Sequence, residues 1–429
     1  MRVELAYGRT GLSVDLPEDR TLVIRPTFTP GIRDEADAIR AGLTKPINSP
    51  PLREILSPAD RVAISVCDVT RAIPSYRVLP PILEELERVP VREVKILIAT
   101  GTHRACRPAE LEEMLGSDVV KRYEVINHSA AESEQLKQAG FVGPEVPVWL
   151  NRNWLDSTFR ITTGFVEPHF FAGFSGGPKM VAPGLAGLET ILYLHSAPLI
   201  AHPDSTWGVV DSNPIHSAVR QIAEQTGVDF ALDVTLNREQ WITGVFAGEL
   251  FAEHRQAVIA ARKTAMRPVD DSFDIVVTTN SGYPLDQNLY QTVKGISAAA
   301  RVVRPGGTII CVSECSDGIP DHGEYGRLLA STSGPDEILA LVHKPGFLRQ
   351  DQWQAQIQAQ IQQRAEVYIF SEGLSPEQIR NAHLLPVDDL ERLVDEKLKQ
   401  YGADARICVL PEGPQTIPYL KTPQAAGVD

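Results

Sequence analysis

Apolar runs that end in polar or glycine-containing turns recur along the first half of the chain. One strand pattern covers residues 61–67 and is followed by Asp68, and another covers residues 94–100 and is followed by Gly101. Each is followed by a segment with apolar residues at helical spacing. Buried strands that alternate with helices are typical of βαβ units, which bring the carboxyl ends of parallel strands to one edge of a sheet. The pattern therefore predicts an α/β fold with mainly parallel sheets.

The same kind of pattern restarts in the second half, with a buried strand at residues 273–279 and a helix at residues 388–398. A chain of 429 residues exceeds one ordinary core, which stops growing at roughly 250–300 residues. We expect two α/β domains, residues 1–267 joined by the C-terminal segment 403–429, and residues 268–402. We expect the active site in the cleft between them.

Other local patterns give specific expectations. Residues 230–236 and 242–248 alternate like a hairpin, and residues 80–89 are typical of a helix that begins at Pro80. The glutamine-rich segment 350–363 is polar at helical spacing, with Trp353 as its large apolar anchor. His128 is expected to be a surface or capping histidine.

Charge and composition limit the classes of function. The formal net charge of −14 disfavours a general role on nucleic acid or anionic membranes, which are usually met by basic patches. The chain shows neither a long apolar span nor the apolar region of a signal peptide, so we expect a cytoplasmic protein. The five cysteines form no C-x-x-C pair, and we expect buried thiols.

Residues 164–184 form the segment around which the candidate chemistry is organised. Its glycines allow backbone amides to approach an anion closely, and Lys179 follows a Gly-Gly-Pro turn. The lysine could contact a phosphate or serve as a covalent nucleophile, and the spacing does not choose between them. The alternative is a tight turn between a strand and a helix with an exposed lysine.

Polar residues at neighbouring strand ends are the second group of candidates. Asp68, Thr70 and Arg71 follow one strand, and His103 follows the next. Open α/β sheets place their ligands at this edge, where His169 and Lys179 also arrive. The alternative for the first strand end is a helix-capping carboxylate and a solvent-exposed arginine.

Three further residues have side chains suited to a ligand. His195 lies near the end of a helix-like segment, where an imidazole could bind a transition metal or interact favourably with the helix dipole. Gln291 and Lys294 are three residues apart, so on a helix they share a face and could hold one small anion.

The chain lacks a Gly-x-Gly-x-x-Gly dinucleotide fingerprint.

Together these clusters closely resemble the lactate racemase family. The most specific motif is the run His169-Phe-Phe-Ala-Gly-Phe-Ser-Gly-Gly-Pro-Lys179. The order of the clusters along most of the chain also agrees with the family: Asp68 to Arg71, Gly101 to His103, Pro168 to Lys179, His195, and Tyr290 to Lys294.

The resemblance implies a nickel-pincer nucleotide that is attached covalently to Lys179, with His195 as the fourth nickel ligand. It implies that His103 and His169 are the paired acid/base residues. The implied cofactor contacts also include Asp68, Val69, Thr70 and Arg71. The implied substrate-carboxylate contacts are Arg71, Gln291 and Lys294. Cofactor-maturation proteins are the expected partners, together with a small-molecule 2-hydroxy acid.

This residue set fits inversion at carbon 2 of a 2-hydroxy acid by hydride transfer. One histidine removes the hydroxyl proton as hydride leaves carbon 2, and return of hydride to the other face of the planar keto acid inverts the centre. Lactate or a longer acid, including a sugar acid, would suit the motifs. The alternatives are a nicotinamide-dependent 2-hydroxy acid dehydrogenase and a non-enzymatic carboxylate-binding protein.

Overall fold

The structure is a computed structural model that describes residues 1–321 and 323–421. Its backbone groups into two compact units. The first unit consists of Phe28–His195 and His202–Thr264. The second consists of Met1–Thr27, Ser196–Ala201 and the chain from Ala265 onward. Each unit contains helices and a mainly parallel six-stranded sheet, which confirms the predicted fold class.

The sheet of the first unit contains the strands that lead into the candidate site. Neighbouring strands pair in parallel, except that Phe230–Leu236 and Ile242–Gly248 form the predicted antiparallel hairpin. In spatial order the strands are Glu124–Asn127, Glu93–Ala99, Arg61–Cys67, Phe159–Phe165, Phe230–Leu236 and Ile242–Gly248.

The strands of this sheet are rich in valine and isoleucine because helices cover the sheet and leave little of it in water. Ile64, Ile96, Ile161 and Leu232 are fully buried in one apolar core. The helices are Glu35–Thr44, Leu52–Ile55, Ser75–Arg88, Pro108–Leu115, Ser117–Arg122, Arg152–Asp156, Leu188–Leu194, Pro214–Thr226 and Leu250–Ala265. Two small antiparallel pairs complete the unit, Leu136–Val142 with Val146–Asn151 and Pro168–His169 with Gly173–Phe174.

The helix predicted to begin at Pro80 begins earlier, and this boundary was wrong. The helix spans Ser75–Arg88 and holds Pro80 and Pro81 in its interior. Val78, Leu79 and Ile82 are fully buried on one face. Their packing outweighs the two backbone donors that the prolines lack.

The second unit is built around a parallel sheet formed from distant parts of the chain. Its strands, in spatial order, are Leu385–Pro386, Ala365–Phe370, Val303–Val312, Phe273–Thr279, Ile407–Leu410 and Thr21–Val23. Its helices are Ala197–Ala201, Leu289–Ala299, Tyr325–Ala330, Pro335–Val342, Gln352–Gln362, Pro376–Asn381 and Leu390–Tyr401. Two strand pairs lie outside the sheet, Arg2–Leu5 with Leu12–Asp15 and Met266–Val269 with Ile417–Leu420.

The compact units differ from the predicted domain division of 1–267 with 403–429 and 268–402. Strand Thr21–Val23 pairs with Ile407–Leu410, which pairs with Phe273–Thr279. Both described ends of the chain therefore belong to the second unit. A local apolar pattern does not predict this, because the strands that pair are far apart in the sequence. Residues 422–429 of the predicted return lie outside the described residues. The roles predicted for the two domains stay predictions.

The glutamine-rich helix was expected to be polar with a single apolar anchor, but most of its glutamines are buried. Gln354, Gln356 and Gln358 are fully buried. The amide of Gln356 donates to the Ala197 carbonyl at 2.8 Å, and that of Gln358 donates to the Ala382 carbonyl at 2.7 Å. Buried amides are tolerated when they are hydrogen-bonded, so this polar helix face packs inside the second unit.

Two other expectations concern cysteines and membranes. All five cysteines are free thiols and buried, as predicted. Within residues 1–321 and 323–421, no helix is both long and apolar enough to cross a membrane.

Candidate active site

The first cluster of site residues joins the ends of two neighbouring strands of the first unit. Asp68 directly follows strand Arg61–Cys67, and His103 follows strand Glu93–Ala99. His103 Nδ1 lies 2.7 Å from Asp68 Oδ2, and the Thr70 hydroxyl donates to Asp68 Oδ1 at 2.7 Å. A carboxylate can only accept, so Nδ1 of His103 carries the hydrogen. In the neutral ring the lone pair then lies on Nε2, the atom that can act as a base.

Asp68 is buried, whereas His103 is about half exposed, with 47% of its side chain accessible. Burial raises the pKa of the Asp68 carboxyl, but hydrogen bonds from His103 and Thr70 and the charge on Arg71 outweigh burial and lower it below its usual range. Asp68 is therefore ionised at neutral pH. The structure shows it as a partner of His103, and its predicted contact with a cofactor stays a prediction.

The second cluster surrounds the phenyl ring of Phe171 in the glycine-rich segment. The His169 ring centroid lies 4.5 Å from that of Phe171, and the His195 centroid lies 5.0 Å from it, both edge to face. The ammonium nitrogen of Lys179 lies 5.9 Å from the same ring centroid. Three predicted site residues thus meet around one aromatic side chain that the sequence did not single out.

The two histidines of this cluster differ from each other in their hydrogen bonding. The backbone N–H of Ala172 donates to Nδ1 of His169 at 3.3 Å, so the hydrogen of the neutral His169 ring lies on Nε2. Nδ1 of His195 donates to the Ile191 carbonyl at 2.7 Å, so its lone pair lies on Nε2. Burial, with the nearby charge on Lys179, lowers the pKa of His195 to about 4. His195 is therefore a neutral imidazole at neutral pH, which is the form that binds metals.

Two hydrogen bonds place the two clusters at the same edge of the sheet. The Ser65 hydroxyl, on the strand that leads to Asp68, donates to the Met180 carbonyl at 2.7 Å. The backbone N–H of Gly101, between Ala99 and His103, donates to the Gly184 carbonyl at 3.0 Å. The segment that follows Lys179 is thereby joined to both strand ends, which agrees with the predicted convergence.

The other predicted residues of the first unit vary in exposure. Val69 and Thr70 are exposed, and Arg71 is half-buried. Cys67 is buried next to Asp68, and burial raises the pKa of its thiol to about 12, so it is not a thiolate at neutral pH. His128 was wrongly expected at the surface: its ring is buried between the Ala186 carbonyl and the Asn151 amide.

Gln291 and Lys294 lie in the second unit, on helix Leu289–Ala299, and are both half-buried. Asn288 caps this helix by accepting from the backbone N–H of Gln291 at 3.0 Å. Beside them, the indole N–H of Trp353 donates to the Tyr290 hydroxyl at 3.2 Å. The predicted shared face of Gln291 and Lys294 is therefore on a capped, well-packed helix.

A group of buried polar side chains that was not predicted from the sequence lies behind the glycine-rich segment. Asp233, Glu253 and His254 have at most 4% of their surface exposed. Asp233 accepts from the Gly177 backbone N–H, and His254 contacts the Ser175 carbonyl. A lone aspartate inside the apolar run Phe-Ala-Leu-Asp-Val-Thr-Leu was the available signal.

No three His, Cys, Asp or Glu side chains of the described chain cluster in a way that could hold a metal ion. His195 offers a buried, neutral imidazole nitrogen near Lys179. These two residues fit a metal-containing group that supplies its own other ligands and is held by a lysine.

Comparisons with known proteins identify the family. Residues 7–208 match the lactate racemase N-terminal domain, and residues 269–417 match the lactate racemase C-terminal domain. The chain is 31% identical to a lactate racemase of Thermoanaerobacterium thermosaccharolyticum, covering 97% of this chain and 98% of that protein. It is 32% identical to a lactate racemase of Lactiplantibacillus plantarum, covering 96% of this chain and 98% of that protein.

Solved structures agree with this result. The lactate racemase apoprotein from T. thermosaccharolyticum superposes with a TM-score of 0.92 at 31% identity, covering 98% of this chain and 100% of that one. A Thermotoga maritima protein superposes with a TM-score of 0.70 at 20% identity, covering 92% of this chain and 100% of that one, which shows the shared fold. The chain therefore belongs to the lactate racemase family and is an isomerase of the racemase class.

Proposed function

We propose that this chain inverts carbon 2 of a 2-hydroxy acid, with His103 and His169 as its acid/base pair. The observation that carries the proposal is the opposite hydrogen bonding of the two rings. Asp68 accepts from Nδ1 of His103 and leaves the lone pair on Nε2, whereas the Ala172 amide donates to Nδ1 of His169 and leaves the hydrogen on Nε2. In their neutral forms His103 therefore offers a lone pair at Nε2, and His169 offers an N–H at Nε2.

His103 is the base for one hand of the substrate. Its Nε2 would take the proton of the carbon 2 hydroxyl, and the ionised Asp68 would stabilise the imidazolium that forms. Asp68 also fixes the orientation of the ring, which is otherwise half exposed. His169, once protonated to the imidazolium, would give a proton to the oxygen of the other hand, and exchange with solvent would restore both rings. For the opposite enantiomer the neutral His169 would be the base and the protonated His103 the acid.

A nickel-pincer nucleotide, when bound, supplies a group that takes hydride from carbon 2 and gives it back. Lys179 would hold this group covalently, and Nε2 of His195 would complete the nickel coordination. His195 is suited to that role because it is buried and neutral, and its Nδ1–H is fixed by the Ile191 carbonyl. Asp68 to Arg71 are the further proposed contacts of this cofactor.

Arg71, Gln291 and Lys294 are the proposed contacts of the substrate carboxylate. A guanidinium can hold a carboxylate through two parallel hydrogen bonds, and an ammonium adds charge. Positive charge from Arg71 and Lys294 at the carboxylate would explain how a protein with a net charge of −14 binds an acid. The expectation that the active site lies between the domains stays a prediction.

Lactate is the proposed substrate because both named relatives are lactate racemases. The overall reaction needs no external oxidant or reductant, because the hydride removed from carbon 2 is returned to it. We further propose that maturation proteins load the cofactor.

Incubating the nickel-loaded enzyme with single enantiomers of several 2-hydroxy acids, followed by chiral chromatography, tests the proposal. We expect each accepted acid to reach a racemic mixture without added nicotinamide. His103→Ala and His169→Ala should each reduce the rate about 10²–10⁴-fold. Accumulation of a keto acid that requires nicotinamide would favour the dehydrogenase alternative, and binding without turnover would favour a binding protein.

A further inference from the structure

The turn that carries Lys179 is held from behind by two buried polar side chains. Asp233 belongs to strand Phe230–Leu236 and His254 to helix Leu250–Ala265, so they reach the turn from different elements of the first unit. Asp233 is fully buried, and His254 is 4% exposed. Neither belongs to the proposed acid/base pair or to the proposed cofactor contacts.

Asp233 fixes the middle of the turn. Its Oδ2 accepts from the backbone N–H of Gly177 at 2.7 Å. A Cβ at Gly164 would lie 2.3 Å from Asp233 Oδ1, and one at Gly176 would lie 2.8 Å from Oδ2. The carboxyl is therefore packed between the strand that leads into the glycine-rich segment and the turn itself.

His254 fixes the start of the turn. Its Nε2 donates to the Ser175 carbonyl at 2.9 Å. Gly177 has a φ of +50° and lies against the imidazole, where a Cβ would come within 2.4 Å of the ring. Only a glycine allows this backbone conformation and this close approach together.

The backbone of Lys179 depends on the geometry of this turn. Lys179 donates its N–H to the Gly176 carbonyl at 3.1 Å, and its own carbonyl accepts from Gly184 at 3.1 Å. The lysine follows Gly177 by two residues in the short helical turn Gly177–Met180. A shift of Gly177 therefore moves the base of the Lys179 side chain.

Burying a carboxyl and an imidazole is costly, and apolar residues of similar volume would often stabilise a core as well. Two such groups, each bonded to the backbone of one five-residue turn, point to a positional role. We propose that Asp233 and His254 are positioning residues that hold the turn of residues 175–179 and thereby present Lys179 for covalent attachment. This inference rests on the proposed attachment of the cofactor at Lys179.

The test measures how fast an acetylating reagent modifies Lys179 in the unloaded full-length protein, read by peptide mass spectrometry. Amide hydrogen exchange of the peptide that contains Gly177 is measured in parallel. For Asp233→Ala we expect both rates to rise about tenfold, because one net hydrogen bond is lost. Asp233→Asn keeps an acceptor oxygen and should restore both rates to about the wild-type values.

His254 provides a second, independent pair of variants. His254→Gln can still donate to the Ser175 carbonyl and should behave like the wild type, whereas His254→Leu should raise both rates. This pair decides the matter if Asp233→Ala fails to fold. Glu253→Gln is the matched control, because it changes a neighbouring buried acid that makes no hydrogen bond to the described chain. Its Lys179 modification rate should be unchanged whatever its melting temperature.

The inference is overturned if the alanine and leucine variants fold and modify Lys179 at the wild-type rate. It is also overturned if the asparagine and glutamine variants raise both rates as much as the alanine and leucine variants do. These rates need no cofactor, so they are separate from the proposed function. Failure of the loaded wild-type enzyme to racemise any 2-hydroxy acid would overturn that function and leave the labelling result unaffected.

Discussion

Nδ1 of His103 donates to Oδ2 of the buried Asp68 over 2.7 Å. This pair joins the ends of two adjacent parallel strands, Arg61–Cys67 and Glu93–Ala99. The carboxylate sets which nitrogen of the imidazole carries the hydrogen and stabilises the ring once it is protonated. The relationship makes Asp68 a positioning residue for the proposed base.

Asp68→Asn tests this role. Its side-chain amide can donate to Nδ1 of His103, which would move the ring hydrogen to Nε2 and remove the basic lone pair from that atom. We expect kcat to fall about 10²–10⁴-fold while the nickel content stays unchanged. Steady-state racemisation and metal analysis measure the two effects.

Thr70→Val is the matched control for that variant, because it removes a hydrogen bond to Oδ1 but leaves the contact of Oδ2 with His103. We expect a much smaller loss of kcat. Asp68→Asn could instead lose nickel while its kcat per bound nickel stays equal to that of the wild type. In that case Asp68 would be a cofactor contact rather than a partner of the base.

Lys179→Ala tests the covalent attachment. Lys179 approaches the same phenyl ring as His169 and His195, at 5.9 Å from the Phe171 centroid. After maturation with nickel, intact mass should show one adduct on the wild type and none on the variant. Lys179→Arg keeps the positive charge and should also lack the adduct. An adduct of unchanged mass on either variant would show that another residue carries the cofactor.

His195→Ala tests the metal ligand. The buried, neutral imidazole offers its Nε2 lone pair, and its removal should lower bound nickel well below one per chain while the fold is retained. Metal analysis and circular dichroism measure these quantities. The exposed His202 gives the control, since His202→Ala should keep its nickel. Stoichiometric nickel in His195→Ala would assign the ligand elsewhere.

The pH dependence of stability reports on His254. Burial, together with the charges on Lys179 and Arg220, lowers its pKa from 6.5 to about 4. Between these values the unfolded chain binds a proton that the folded protein does not, so the wild type loses stability as the pH falls from 6.5 to about 4.

His254→Gln cannot titrate, so the free energy of unfolding of the wild type should fall relative to this variant across that window, by on the order of 1 to 3 kcal/mol. Below about pH 4 the difference should level off. Urea unfolding of both proteins at several pH values measures it. A difference that does not change with pH would show that His254 is not buried as a neutral ring.

The strands that carry the site could be predicted because their signal is local. Arg61–Cys67 is a run of small and β-branched residues bounded by turns, and the observed strand has the predicted limits. Asp68 and His103 follow neighbouring strands of one parallel sheet, so their meeting at one edge follows from topology. The pattern did not show that they bond to each other, because that depends on side-chain directions within the two turns.

Features that depend on distant parts of the chain were not predictable. Strand Thr21–Val23 joins the sheet of the second unit through Ile407–Leu410, a pairing across nearly the whole sequence. In the sequence Asp233 is a single polar residue in an apolar strand pattern, and only the fold brings it into contact with Gly177. The Phe171 ring is likewise one of several phenylalanines until the fold sets His169 and His195 against it.

The fate of the hydrogen on carbon 2 tests the central claim most directly. The nickel-loaded enzyme is incubated in ordinary water with one enantiomer of lactate deuterated at carbon 2. The opposite enantiomer is then isolated, and its deuterium content is measured by mass spectrometry. The account predicts that the product keeps its deuterium, because hydride leaves and returns without meeting solvent. A product that carries hydrogen from water at carbon 2, or no opposite enantiomer at all, would contradict it.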